Sequence, residues 1–276
     1  LETGLSQPIL VFDSGIGGLS VLAEIRKLLP HHDYCYLFDN ARLPYGELEE
    51  QELVSGCVAL IDQVVERTHA AIVVVACNTA STVVLPALRA TLSIPVVGVV
   101  PAIKPAAQLS KSKRIGLLAT PGTVKRHYTY ELISQFADDC HVELFGSSEL
   151  VLMAEQKIAT GQLDMARLTQ VLSPIVEADL DVLVLGCTHF PMLRDELQQV
   201  LGQGVTLLDS GEAIAKRVKT LLAETNSEQQ VQEDAHCDAH MQAFYTKAEI
   251  SEGLATTLVD CGFSTLERIT TINSNG

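Results

Sequence analysis

The sequence predicts an α/β protein made of two similar, pseudo-symmetric lobes, each on a parallel sheet, with the active site in the cleft between them. Two observations carry this. Short apolar runs alternate with amphipathic stretches of helical period, the pattern of parallel sheets covered on both faces. In addition, Val73-Val74-Val75-Ala76 and Val182-Leu183-Val184-Leu185-Gly186 end alike on a cysteine, Cys77 and Cys187, followed by small polar residues and a helix start. Ligands of open α/β sheets bind at the carboxyl ends of the strands, so both thiols fall where chemistry is expected.

Residues 9–12 form the first strand, closed by Asp13-Ser14-Gly15-Ile16-Gly17-Gly18. A helix over about 19–29 carries Leu19, Leu22, Ile25, Leu28 and Leu29 on one face and stops at Pro30. Residues 34–38 are the second strand. A loop with Pro44-Tyr45-Gly46 leads into a helix over 47–67, whose buried stripe is expected at Val58, Ile61, Val64 and Val65. Residues 71–76 are the third strand, a helix follows Cys77 to about residue 91, and 95–100 is the fourth strand.

The pattern then restarts. Residues 114–119 are a strand ending in Thr120-Pro121-Gly122-Thr123, and a helix follows through Tyr130 and Phe136. Residues 141–145 are a strand, two helical stretches lie within 149–177, and 181–186 is the strand that carries Cys187. Residues 205–209 are a strand, and a helix over 211–222 returns to the first lobe. Asp13 precedes Cys77 by 64 residues and Thr120 precedes Cys187 by 67, which supports a repeat. The first lobe is expected at 1–100, completed by 209–276, and the second at 101–208. Residues 224–242 turn polar and read as a surface excursion, while 244–272 hold enough apolar residues to finish a domain.

Composition narrows the function. The 276 residues are 47% hydrophobic and 19% charged without tryptophan, an ordinary soluble profile. A net charge of −15 argues against nucleic acid, which is bound through clustered Lys and Arg. The nearest basic cluster, residues 111–114 with Lys125 and Arg126, reads as solvated charge. No apolar run is long enough to cross a bilayer, and residues 1–7 lack the features of a signal peptide. Seven cysteines without regular spacing point to a reducing compartment, where special thiols are catalytic or metal-binding.

A thiol is a useful acid or base because its unperturbed pKa, about 8.5, lies near neutrality and responds to its surroundings. Alone, either cysteine reads as a small buried residue capping a strand. The pair demands more. A metal site needs further ligands, and only His189 lies near either sulfur; His236-Cys237 with His240 is an incidental cluster in a polar stretch. Cys-x-x-Cys is absent, and a Cys-His nucleophile leaves one thiol unexplained. Moving a proton from one face of a carbon to the other needs an acid and a base on opposite sides. That reaction is racemisation or epimerisation.

Asp13 ends its strand at a glycine loop, where it either serves the chemistry of Cys77 or a substrate ammonium, or closes an Asx turn. Gly15, Gly17 and Gly18 do not form the dinucleotide fingerprint. His189 either assists Cys187 or starts a helix. Ser14, Asn78, Thr79, Thr120 and Thr188 offer neutral groups that, with backbone N–H groups, hold a carboxylate without a positive patch.

Phe12-Asp13-Ser14-Gly15-Ile16-Gly17-Gly18-Leu19, residues 39–46, 76–82 and 185–193, supported by 95–102 and Leu208-Asp209-Ser210-Gly211, resemble the glutamate racemase family. These are cofactor-independent enzymes of the aspartate/glutamate racemase superfamily. The resemblance implies two α/β lobes, no metal or pyridoxal phosphate, and glutamate as the small-molecule partner. It implies that Cys77 works on the D-enantiomer and Cys187 on the L-enantiomer, supported by Asp13 and His189 respectively. Glu155 matches a family glutamate of the second lobe, within a stretch, 150–157, that departs from the commoner pattern. Asp13-Ser14, Tyr45-Gly46, Asn78-Thr79 and Thr188-His189 align with the substrate-holding pairs. A cytoplasmic supply of D-glutamate for peptidoglycan follows from the family, which also admits a homodimer and, in part, activation by a cell-wall precursor. An aspartate-specific racemase and a non-catalytic metabolite-binding module are the alternatives; a pure sensor needs neither thiol.

Overall fold

The computed structural model describes residues 7–226 and 239–270. Ten strands lie among them: β1 Ile9–Asp13, β2 Tyr34–Phe38, β3 Ile72–Val75, β4 Val96–Gly98, β5 Arg114–Ala119, β6 His141–Gly146, β7 Val182–Leu185, β8 Thr206–Leu208, β9 Met241–Tyr245 and β10 Thr265–Arg268. They form two sheets, one in the order β10-β9-β2-β1-β3-β4 and one in the order β6-β5-β7-β8. Every pairing is parallel. The segment β2-β1-β3-β4 has its counterpart in β6-β5-β7-β8, so the same topology occurs twice.

The strands are apolar throughout because both faces are covered. In β1, Ile9 and Val11 pack into one core and Leu10 and Phe12 into another across the sheet. The second sheet divides its two cores likewise, with Leu183 and Leu185 on one side and Val182 and Val184 on the other. The helices Leu19–Leu28 and Gly211–Asn226 pack together, so the chain after β8 rejoins the first sheet. The chain crosses between sheets near residues 99–102 and 208–210, and Ser210 Oγ donates to Val100 O, tying the two crossings.

Four expectations change. The helix after Cys77 is two pieces, Asn78–Ser81 and Leu85–Thr91, because Pro86 has no N–H to continue the ladder. The buried stripe of the helix Glu50–Thr68 is Leu53, Cys57, Leu60, Ile61 and Val64, with Val58 and Val65 half-buried at its margins. The polar stretch 224–242 is not all excursion. Helix Gly211–Asn226 runs into it, and β9 begins inside it and extends the first sheet beside β2. Residues 227–238, with His236 and Cys237, lie outside the described residues; His240 is exposed and faces Asp33, and no metal-ligating cluster occurs among the described residues.

The fourth change concerns the repeat. Phe12 pairs with Val75 and Leu118 with Leu185, so two residues further on Ser14 stands level with Cys77, and Thr120 with Cys187. The counterpart of Thr120 is therefore Ser14, and that of Asp13 is Ala119. The scaffold is symmetric, and its carboxylates are not.

Candidate active site

Cys77 follows β3 and caps the helix Asn78–Ser81, 5% exposed. Its Sγ lies 3.7 Å from Ser14 Oγ. Burial, reinforced by the charge of Asp13 and by Cys187, holds this thiol well above the ordinary range, against the Ala80 N–H and Ser14. Ionising Cys77 is therefore costly in this closed arrangement, and Cys187 lies near enough to add to that cost.

Cys187 follows β7, 7% exposed, with His189 Nδ1 3.8 Å from its Sγ. A short turn, Phe190–Leu193, separates it from the helix Arg194–Leu201, so no long helix begins directly behind this sulfur. The other nitrogen of His189, Nε2, lies 2.6 Å from Glu155 Oε1. Burial opposes charge on this imidazole, yet its bonds to Cys187 and Glu155 win and raise its pKa well above the ordinary value. Glu155 is likewise pushed up by burial but held below its ordinary value by His189 and the Ile16 N–H. Negative charge developing on the Cys187 sulfur therefore meets an imidazolium backed by a carboxylate. The geometry brings Glu155, from the helix Glu149–Thr160, into the cleft.

Asp13 is fully buried, and burial raises its pKa over the opposing effects of His189 and the Gly18 and Ser14 N–H groups. Its Oδ2 accepts from Gly18 N at 2.8 Å, closing the glycine loop, and Thr188 Oγ1 reaches both oxygens at 3.2 and 3.3 Å. The neighbour that reaches the Cys77 thiol is Ser14. The glycine loop presses on the second lobe. A Cβ at Gly15 would lie 2.2 Å from Glu155 Oε1, and one at Gly17 would lie 2.6 Å from His189 Nδ1 and Thr188 Oγ1.

Thr79 and Thr120 meet across the lobes, Oγ1 to Oγ1, at 2.9 Å, and Thr123 bonds to both. Gly46 packs on Thr120, where a Cβ would come within 3.0 Å. The Tyr45 hydroxyl is occupied elsewhere. It donates to Asp39 Oδ2 at 2.5 Å and accepts from Arg42 and Cys57, so this side chain anchors the loop that delivers Gly46. Asn78 Oδ1 is buried without a hydrogen-bond partner among the described residues, a cost of about 1–3 kcal/mol that a donor on a ligand would remove. Asn78, Cys187, Thr188, Ser20 and Ser210 line a cavity of about 10 Å³, room for little more than one water.

Sequence reasoning overlooked the Asp39–Arg42 pair, Thr246 on the other oxygen of Asp39, and Ser20, whose Oγ donates to Thr188 O. Asp39 and Arg42 lay inside the stretch already singled out, and their opposite charges three residues apart were the available signal.

Paired thiols at matched strand ends, one backed by an imidazolium and a carboxylate, define an acid–base site of the racemase kind. Residues 18–218 match the Asp/Glu/Hydantoin racemase family, and the chain belongs to it, among the glutamate racemases. It is 96% identical over 273 residues to the glutamate racemase of Shewanella sp. strain ANA-3, covering 99% of this chain and 100% of that one. The crystal structure of Escherichia coli glutamate racemase, in complex with L-glutamate and the activator UDP-MurNAc-ala, superposes with a TM-score of 0.89 at 47% identity, covering 97% of this chain and all of the other. A glutamate racemase from Bacillus anthracis follows at 0.76 and 29%, covering 96% and 97%. Among the described residues, no helix is long and apolar enough to cross a membrane.

Proposed function

We propose that this chain interconverts L- and D-glutamate without a cofactor, Cys77 exchanging the α-proton on the D side and Cys187 on the L side. The observation that carries this reading is the pair of buried thiols at equivalent strand ends of two facing lobes. One sulfur, as thiolate, takes the α-proton; the other, as thiol, returns one to the opposite face, and the roles reverse with direction. Asp13 serves the first half-site, and His189 with Glu155 the second. Ser14, Asn78, Thr79, Thr120, Thr188 and the backbone at Tyr45-Gly46 supply the hydrogen bonds that stabilise charge developing on the substrate carboxylate. Closure of the lobes on glutamate would exclude water and strengthen these contacts.

The lobes divide the sequence at 1–100 with 209–276 and at 101–208. The product is D-glutamate for peptidoglycan, made in the cytoplasm, and a cell-wall precursor of the kind bound by the Escherichia coli enzyme is the proposed activator. The test is circular dichroism of the protein with D-glutamate and then L-glutamate, no cofactor added. The signal should decay to zero from both sides, and Cys77→Ser or Cys187→Ser should stop the decay while leaving glutamate binding largely intact. Decay with aspartate alone would move the specificity, and flat signals with every acidic amino acid would refute catalysis.

A further inference from the structure

We propose that Thr188 is a positioning residue for Asp13, so that the segment carrying Cys187 sets the working geometry of the opposite thiol, Cys77. This rests on the two-base reading above. The observation is a crossed pattern of support. Asp13 belongs to the first sheet, yet one of its hydrogen-bond donors, Thr188 Oγ1, comes from the residue after Cys187. Glu155 belongs to the second lobe, yet Ile16 N of the first lobe donates to its Oε1 at 2.9 Å. The buried Asp13 and the partly exposed Glu155 thus each take one donor across the cleft.

The crossing is built in. Ser20 Oγ, from the first lobe, shares its proton between Gly17 O at 2.8 Å and Thr188 O at 3.0 Å, which ties the glycine loop to that backbone. Gly17 lets the two segments touch, since a Cβ there would lie 2.6 Å from Thr188 Oγ1. Ala119 stands where symmetry would place a second Asp13, so the Cys77 side alone depends on this carboxylate. Asp13 is fully buried and cannot replace a lost donor with bulk water.

The step affected is removal of the D-side hydrogen. The Cα–H bond of D-glutamate breaks, its proton passes to the Cys77 thiolate to form S–H, and the electron pair stays on the carbon. The Cys187 thiol then gives its proton to the opposite face and becomes the thiolate. Losing the Thr188 donor displaces Asp13 and slows the Cys77 transfer relative to the Cys187 transfer. A role confined to gripping substrate would weaken both alike.

The experiment compares Thr188→Val, which keeps the shape and removes the hydroxyl, with Thr188→Ser, which restores it. Racemisation is followed by circular dichroism with protiated and α-deuterated D- and L-glutamate. Because enantiomers are equally stable, kcat/KM must fall equally from both sides, here roughly tenfold in Thr188→Val. The isotope effects on kcat/KM carry the answer. The effect from D-glutamate should rise and that from L-glutamate fall, and Thr188→Ser should return both toward wild type. Should Thr188→Val not fold, Ser20→Ala, which frees the Thr188 carbonyl, should give the same opposite shifts in smaller size. Isotope effects that stay fixed or move together overturn the proposal. A wild-type protein that fails to racemise glutamate overturns the two-base reading instead.

Discussion

Glu155→Gln removes one negative charge from the second lobe and little else. The amide keeps the shape and an oxygen able to accept from Ile16 N and His189 Nε2, which now sit at 2.9 and 2.6 Å. What disappears is the charge facing a fully buried imidazolium. At an effective dielectric of about 20, such a pair is worth on the order of 4 kcal/mol at about 4 Å. The Glu155 side chain is 20% exposed, and screening leaves about 2–3 kcal/mol as a working figure. Without it His189 keeps Cys187 but loses the carboxylate that helps oppose burial, and its pKa falls. If the imidazolium stabilises charge on Cys187 in the transition state, the loss converts to roughly 30- to 150-fold in kcat. The assay is decay of circular dichroism from each enantiomer across pH, and the deficit should deepen as pH rises. Folding carries a parallel signature. Glu155 is depressed, so its stabilisation is present above its ordinary 4.5 and lost as pH falls through the lower folded value. His189 is raised, so its share is complete below 6.5 and lost as pH rises through the folded value. A variant within about threefold of wild-type kcat, with an unchanged pH profile, would refute the assignment.

Two further outcomes follow. Gly17→Ala places a Cβ 2.6 Å from His189 Nδ1 and 2.7 Å from the His189 backbone nitrogen, so the lobes must separate locally at a strain of about 1–3 kcal/mol. The chain should still melt cooperatively while racemisation drops by roughly 100-fold or more, and near-normal turnover would show that this loop does not close on His189. Asp181 accepts from Ser110 Oγ and from the Lys111 and Ser112 N–H groups, which outweigh burial and hold its pKa at about 2. Its stabilisation is therefore present above 3.8 and lost as pH falls toward 2. Asp181→Asn should lower the melting temperature above that window and flatten its decline within it; an unchanged acid limb would count against these bonds.

The strands and both thiols were legible because apolar runs bounded by polar turns are a local signal. Cys77 and Cys187 could be paired from the sequence, since each ends the same kind of run. Register was not legible. Residue spacing matched Asp13 with Thr120, whereas the ladder sets Ser14 opposite Cys77, because loops of different length precede the two cysteines. Tyr45-Gly46 aligned by motif with a substrate-holding pair, but nothing local showed that the Tyr45 hydroxyl finds Asp39, a partner fixed by how the loop folds back over helix Glu50–Thr68. Val58 and Val65 looked like core for their side chains alone, and the 3.6-residue period through Leu53, Cys57, Leu60 and Val64 was the better guide. The contacts of Ile16 with Glu155 and of Thr188 with Asp13 span 139 and 175 residues, beyond any local pattern.

The position of β9 bears on how the chain is made. The second sheet uses one continuous stretch, β5 to β8, and can close as soon as residue 208 has left the ribosome. The first cannot. Its strand β2, Tyr34 to Phe38, has β1 on one edge and gains its neighbour on the other only when residues 241–245 pair beside it, with β10 outside them. Until those late residues emerge, an aromatic strand made early in synthesis keeps a bare hydrogen-bonding edge, the kind that pairs with other chains. The first lobe to be translated is thus the last to be sealed, and translation of the C-terminal strands sets the end of its exposure to aggregation.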